Sequence, residues 1–251
     1  MIKLKSKREI NLMKEAGKVV AEALYEMKEA IDAGVTTGKL DKIAEKCIRK
    51  HGGEPAFLGY YNFPASICAS INNEVVHGIP GLRRLQEGDI ISIDVGVRLK
   101  GYHGDAAATF GVGKISEEAQ QLINVTRNSL QKAIEAMQSD NRLSDISHAV
   151  QSYVEQHSFS VVRNYVGHGI GKEMHEEPQV PNFGPPGRGA LLQPGILLAI
   201  EPMVNSGSWE VKVLNDQWTV VTSDGSLSAH FEHTVALGDN GPEVLTSLQY
   251  N

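Results

Sequence analysis

Four carboxylates and one imidazole stand in stretches of this sequence that are otherwise apolar or glycine-rich. Asp94 lies in IISIDVGV, Asp105 in GYHGDAAATF, His168 in GHGIG, Glu201 in LLAIEPMV and Glu232 in HFEHTVAL. An acid flanked by Leu197, Leu198, Ile200, Met203 and Val204 is not a solvated surface charge, and a buried carboxylate needs a partner. Singly, each of the five has an ordinary explanation: a strand-edge charge, an imidazole in a glycine loop, an acid paired with lysine or arginine. Together they form a ligand set. Oxygen donors favour Mn²⁺, Fe²⁺, Co²⁺ or Mg²⁺, and the imidazole leaves Zn²⁺ open. Five ligands, four of them able to bridge, suit a pair of ions about 3.5–4 Å apart sharing a water, which is hydrolytic chemistry. Two further histidines, His77 in NNEVVHGIP and His175 in MHEEP, fit a surface as well as a catalytic role. His233 should point away from Glu232 and reads as structural. GHGIG matches neither nucleotide-loop pattern, and no G-x-S-x-G or H-E-x-x-H occurs.

The elements that must hold these groups follow from periodicity. Ile91, Ile93, Val95 and Val97 alternate with Ser92, Asp94 and Gly96, which predicts a strand. A turn in Leu99-Lys100-Gly101 leads into a second strand carrying Asp105, and pairing across Leu99-Lys100 would set Asp94 directly opposite Asp105. Like charges facing one another require either a proton on one of them or a cation between them, and the cation is the better fit. Ahead of this hairpin, Ser6 and Glu9 make a capping box for a long amphipathic helix. Gly34 stops it, and a second helix runs from Thr36-Thr37 to Gly52-Gly53, with Cys47 on its apolar stripe as an ordinary core residue. An aromatic loop, EPAFLGYYNFP, and a short strand from Ser66 to Ile71 follow. From Ser116 the order repeats: helix, helix from Leu143 to about His157, then strands at Phe159–Val162, Gly195–Val204, Gln217–Thr222 and His230–Leu237. This predicts one α+β domain over residues 1–251, with halves of about 1–113 and 114–251 and the chemistry along their seam.

With 251 residues, 41% hydrophobic and 22% charged, the chain has the make-up of a soluble globular protein. A net charge of −6 argues against nucleic-acid binding. The basic start has no apolar run behind it, so no signal peptide is expected, and no stretch is long enough to span a membrane. Two cysteines, Cys47 and Cys68, make no disulfide framework and fit a reducing, cytoplasmic setting.

SINNEVVHGIP, GDIISIDVGV, GYHGDAAATF, GHGIGKEMHEEPQVPNFG, GILLAIEPMV and SLSAHFEHT together resemble the type I methionine aminopeptidases, in their short bacterial form. The likeness runs from about Ser6 to Leu245. It implies a pita-bread fold: two pseudo-symmetric helix-helix-strand lobes whose curved antiparallel sheet cradles two divalent ions. By resemblance Asp94, Asp105 and Glu232 hold one ion and Asp105, His168, Glu201 and Glu232 the other. His77 and His175 would contact the scissile peptide and Glu201 would shuttle the proton. Phe57, Tyr60, Phe63, Cys68 and Trp218, with Met174 nearby, would line a methionine slot. Asn72, a carbonyl near Glu74 and Ser228 would hold a monovalent cation. The implied substrates are nascent polypeptides with a small second residue, met near the ribosome by a monomer. Two positions depart from the family pattern: Gly96 and Ala106 stand where hydroxyl or polar residues are usual, which predicts weaker support for the metal. The alternatives are an Xaa-Pro peptidase, whose family members carry a large N-terminal domain, and a silent binding protein, whose relatives have lost ligands.

Overall fold

Ser6 caps α1 (Lys7–Ala30) through the reciprocal Ser6–Glu9 box, and Thr36 caps α2 (Thr37–Lys50) by accepting from the Lys39 N–H. The computed structural model describes residues 2–247. Residues at helical spacing on both helices, including Met27, Leu40 and Ile48, are fully buried, each contributing about 1.5–3 kcal/mol. They pack on an antiparallel sheet of Ile67–Ile71, Ile90–Leu99 and Tyr102–Gly111, edged by Glu54–Pro55. The second half repeats the order with α3 (Glu117–Ala136), capped by Ser116, and α4 (Leu143–Gln156). This pair covers an apolar cluster shared with Leu197–Ile200, Met203–Asn205 and His233–Gly238. The architecture is α+β, and every strand pair is antiparallel.

The hairpin turn is tighter than the sequence suggests. Leu99 pairs with Tyr102, leaving Lys100 and Gly101 as a two-residue loop with φ of 51° and 81°, the left-handed pair of a type I′ turn. Asp94 therefore lies opposite Ala107 and Asp105 opposite Gly96. The expected direct Asp94–Asp105 pairing is off by two residues. An even shift keeps both acids on one face, as diagonal neighbours.

Two expected strands are each broken in the middle. The stretch 195–204 forms Leu197–Ile200 in a five-stranded sheet and Met203–Asn205 in a three-stranded one. The return stretch divides in the same way into Ser228–His230 and His233–Gly238. Pro202 has no N–H to continue a ladder, so both chains leave one sheet and join the next here, at Glu201-Pro202 and Phe231-Glu232. Gly167–Gly169 and Glu176–Val180, which sequence periodicity left as loop, are also strands of the five-stranded sheet. A Cβ at Gly167 or Gly169 would run into the Ala199 or Glu177 carbonyl, so the glycines are what admits the neighbouring chains.

The two halves are stitched along Tyr102–Gly111. Ala107 and Glu232 exchange backbone bonds of 3.3 and 2.9 Å. Two residues to one side, Thr234 Oγ1 accepts from the Asp105 N–H and donates to the Asp105 carbonyl, both at 2.9 Å. Two residues to the other, Thr109 Oγ1 accepts from the His230 N–H at 2.9 Å and donates to its carbonyl at 2.8 Å.

Candidate active site

That seam explains why three carboxylates converge. Asp94 and Glu232 flank Ala107 from opposite sides, and the alanine methyl leaves the space above it open. Asp105, two residues along the same strand, shares the face. Val95 and Ala106 point the other way, into the core under α1 and α2. Ala106 is fully buried there, so a polar group at this position would not reach the acids. From the second half come His168, paired with Ala199, and Glu201, just past Ile200. His168 Nε2 is 3.5 Å from Glu201 Oε1 and 3.9 Å from Asp105 Oδ2. Its Nδ1 is 2.9 Å from the Gly169 carbonyl. A carbonyl only accepts, so Nδ1 carries the proton and Nε2 turns a lone pair on the acids.

No Lys or Arg is paired with these five groups among the described residues. Asp94 Oδ1, Asp105 Oδ1 and Glu232 Oε1 are buried without any hydrogen-bond partner. Burial pushes the Asp94 carboxyl up to about 7. Burial and the facing acids raise Asp105, Glu201 and Glu232 well above the carboxylate range. Burial lowers His168 to about 3, which keeps it neutral. Ligand atoms of Asp105, His168 and Glu232 all lie within 4.8 Å of one another. Orphaned buried oxygens around one imidazole lone pair suit divalent cations, and nothing else in the site answers their charge.

The acids close one end of a cavity of about 430 Å³ whose other walls are Phe57, Tyr60, Tyr61, Phe63, Cys68 and Trp218, with His77 and His175 between. Phe63 meets Trp218 edge to face at 5.0 Å. The structure thus brings together all twelve residues that the sequence and the resemblance singled out for this site. His175 Nδ1 is 2.7 Å from Tyr60 Oη, and its ring centroid is 4.3 Å from that of His168. His77 has φ of 61°, a left-handed conformation costing a non-glycine residue roughly 1–3 kcal/mol. It stands edge-on to Tyr165 and Trp218, and burial lowers its imidazole to about 4.

Some groups escaped the sequence reading. Tyr61 stands at the cavity mouth, 78% exposed, and its place in the GYYNFP loop was the only signal. Thr109 and Thr234 looked like ordinary strand residues. His230 lies buried behind Glu232, with Nε2 4.0 Å from Glu232 Oε2 and no hydrogen-bond partner. Of the residues expected around a monovalent cation, Asn72 and Ser228 are joined through the backbone. Asn72 binds Asp89 and the Ile90 N–H through its amide, and its carbonyl accepts from the Ser228 N–H at 2.8 Å. The Glu74 carboxylate accepts from the Ile71 N–H and pairs with Arg83.

Residues 11–239 match metallopeptidase family M24. Over 249 residues the chain is 59% identical to a methionine aminopeptidase of Clostridium perfringens, covering 99% of this chain and 100% of that protein. It is 54% identical over 248 residues to methionine aminopeptidase 1 of Bacillus subtilis, covering 99% and 100%. The crystal structure of a methionine aminopeptidase from Thermotoga maritima superposes with a TM-score of 0.98 at 47% identity, covering 99% of this chain and 100% of that one. A prolidase from Pyrococcus furiosus superposes with a TM-score of 0.78 at 20% identity, covering 98% of this chain and 66% of that one, a likeness of fold alone.

Proposed function

Given that the chain belongs to metallopeptidase family M24, among its type I methionine aminopeptidases with their pita-bread fold, we propose that Asp94, Asp105, His168, Glu201 and Glu232 hold two divalent ions for removing the initiator methionine from nascent chains with a small second residue. The activity itself, divalent-metal hydrolysis that frees an N-terminal methionine, comes with the family and its close relatives. Asp105 and Glu232 would be shared by both ions, Asp94 would complete one set, and His168 and Glu201 the other. Bound there, the ions supply a water acidified to near neutrality and a Lewis acid for the scissile carbonyl. Mn²⁺, Fe²⁺, Co²⁺ and Zn²⁺ all suit the donors.

The chain's own groups do the rest. Glu201, partly open to the cavity, has a carboxyl raised by burial and by Asp94. As general base it would take the proton of the attacking water and return it to the leaving amine. With Tyr60 Oη–H donating to His175 Nδ1, His175 Nε2 bears a hydrogen for the scissile carbonyl oxygen as that oxygen gains charge. His77, neutral and fixed by its rings, accepts from the peptide N–H side. Phe57, Tyr60, Phe63, Cys68 and Trp218 offer the methionine side chain an apolar slot with aromatic edges for its thioether. No described helix is long and apolar enough to cross a membrane, which suits a monomeric cytoplasmic enzyme working on chains as they leave the ribosome, in a single catalytic domain.

The observation that carries this reading is the trio of partnerless buried carboxylate oxygens at the end of the aromatic cavity. Its test is methionine release from Met-Ala-X peptides, with Xaa-Pro-X peptides as comparators, against added divalent metal. Release should require the metal, and Xaa-Pro bonds should survive. Glu201→Gln should lower kcat by about 10²–10⁴-fold, and Asp94→Asn should lose a bound ion. Unchanged rates in either variant would overturn that residue's role.

A further inference from the structure

A second group of metal-type side chains lies away from the hydrolytic site, on the helix side of the first lobe. Glu22 and Glu26 stand one turn apart on α1; Cys47 and His51 stand one turn apart at the end of α2. Residues four apart share a helix face, so two facing pairs meet here. Ligand atoms of Glu22, Cys47 and His51 all lie within 4.8 Å of one another. Glu26 faces the Cys47 thiol as well, and burial with the Glu26 and Glu22 carboxylates pushes the thiol up to about 12. His51 Nδ1 is 2.9 Å from the Cys47 carbonyl and must donate to it, because a carbonyl cannot. That leaves His51 Nε2 facing Glu22 Oε2 at 3.2 Å, either as an N–H⁺ in an ion pair or as a lone pair beside a carboxylate. A cation resolves the second arrangement. The Glu22 and His51 side chains are 41% and 29% exposed, so an ion can enter from solvent.

We propose that Glu22, Cys47 and His51, with Glu26 as fourth donor, bind one zinc-class divalent ion. Thiolate, imidazole and carboxylate together select a borderline-soft ion over Mg²⁺ or Ca²⁺. Tetrahedral bonds of about 2.0–2.3 Å put donors about 3.3–3.8 Å apart, a closure that rotation of the long glutamate side chains can supply. On binding, the Cys47 S–H bond breaks, its proton leaves to solvent, and sulfur bonds the ion. The ion clamps α2 to α1 and takes no part in hydrolysis, since the sheet separates these helices from the acids.

Sulfur makes the site distinguishable, because the hydrolytic ligands offer only oxygen and nitrogen. Titrating the metal-free full chain with Co²⁺ should produce a near-ultraviolet sulfur-to-cobalt charge-transfer band whose final intensity corresponds to one thiolate-bound Co²⁺ per chain and which is displaced by Zn²⁺. The band should vanish in Cys47→Ser and persist in Cys68→Ser and Asp94→Asn. Glu22→Gln and His51→Gln, at positions open to solvent, should fold normally and weaken Co²⁺ binding at this site by at least about tenfold. After zinc loading, wild type should retain one more ion per chain than Cys47→Ser, with methionine release unchanged. No thiolate band, a band that follows Cys68, or full affinity in Glu22→Gln and His51→Gln would overturn the proposal and leave Glu22 and His51 as an ion pair.

Discussion

Gly96 lies opposite Asp105 on the face that carries the acids, yet its surroundings are apolar. A Cβ there would come within 2.8 Å of Phe57 Cε1 and 2.9 Å of Met174 Cε. Beside the expected loss of a hydroxyl near the metal, the missing side chain leaves room for Phe57 and Met174. Those two contacts are the outer ends of side chains, and Ala56 Cβ, at 3.1 Å, needs only a small shift, so Gly96→Ala should fold while pushing Phe57 and Met174 into the cavity. Its expected signature is a KM for Met-Ala-X raised about tenfold with kcat nearly unchanged, the pattern of lost ground-state binding. Steady-state kinetics decide it, and a fallen kcat at constant KM would move Gly96 to the metal side. The acids themselves were legible because a charge in an apolar run needs a reason. Their register was not, because Lys100 takes a left-handed turn conformation that is usually advertised by asparagine or aspartate.

Local pattern carried the elements only so far. The helices declared themselves through Ser6, Thr36 and Ser116 as caps and through 3.6-residue periodicity. The seam did not, because its partners are 121 and 129 residues apart in sequence and its bonds run through threonine hydroxyls that look like ordinary strand residues. Glu201 and Glu232 likewise read as mid-strand residues, whereas both occupy the crossover between sheets that Pro202 enforces. Thr234 is fully buried and its single hydroxyl serves both backbone groups of Asp105. Thr234→Val keeps the shape and strands those two groups, at a cost of about 1–3 kcal/mol. Thermal unfolding should show it as a drop of about 2–4 °C per kcal/mol. Because Asp105 loses its anchor, metal affinity should also fall about 10–100-fold. A stability loss with intact metal affinity would mean that Asp105 is positioned by its hairpin alone.

Across the whole molecule, two lobes each complete an apolar cluster of their own, and the groups that repel one another are gathered where the lobes meet. The metal-free protein must therefore hold protons at the seam. The Asp94 carboxyl sits at about 7 instead of 3.8, with Asp105, Glu201 and Glu232 raised in the same direction. Below about pH 4 the folded and unfolded chains both carry these protons, and the acids cost nothing. As pH rises from about 4 to about 7 the unfolded chain releases them while the folded chain keeps them. The carboxylate contribution to stability therefore falls with pH over that window. The lowered histidines His77 and His230 act in the opposite direction below about pH 6.5. His77→Asn and His230→Asn, measured beside the wild type, separate their effect from that of the acids. Divalent ions displace the retained protons, whereas His168, already neutral, releases none. The rise in Tm on adding saturating Mn²⁺ should accordingly grow between pH 5 and pH 7. Calorimetry at pH 6 in two buffers of different ionisation enthalpy should report at least one proton released per chain, and fewer at pH 8. Metal binding with no proton release at pH 6 would mean that the acids are already ionised in the empty site, and would overturn the retained protons.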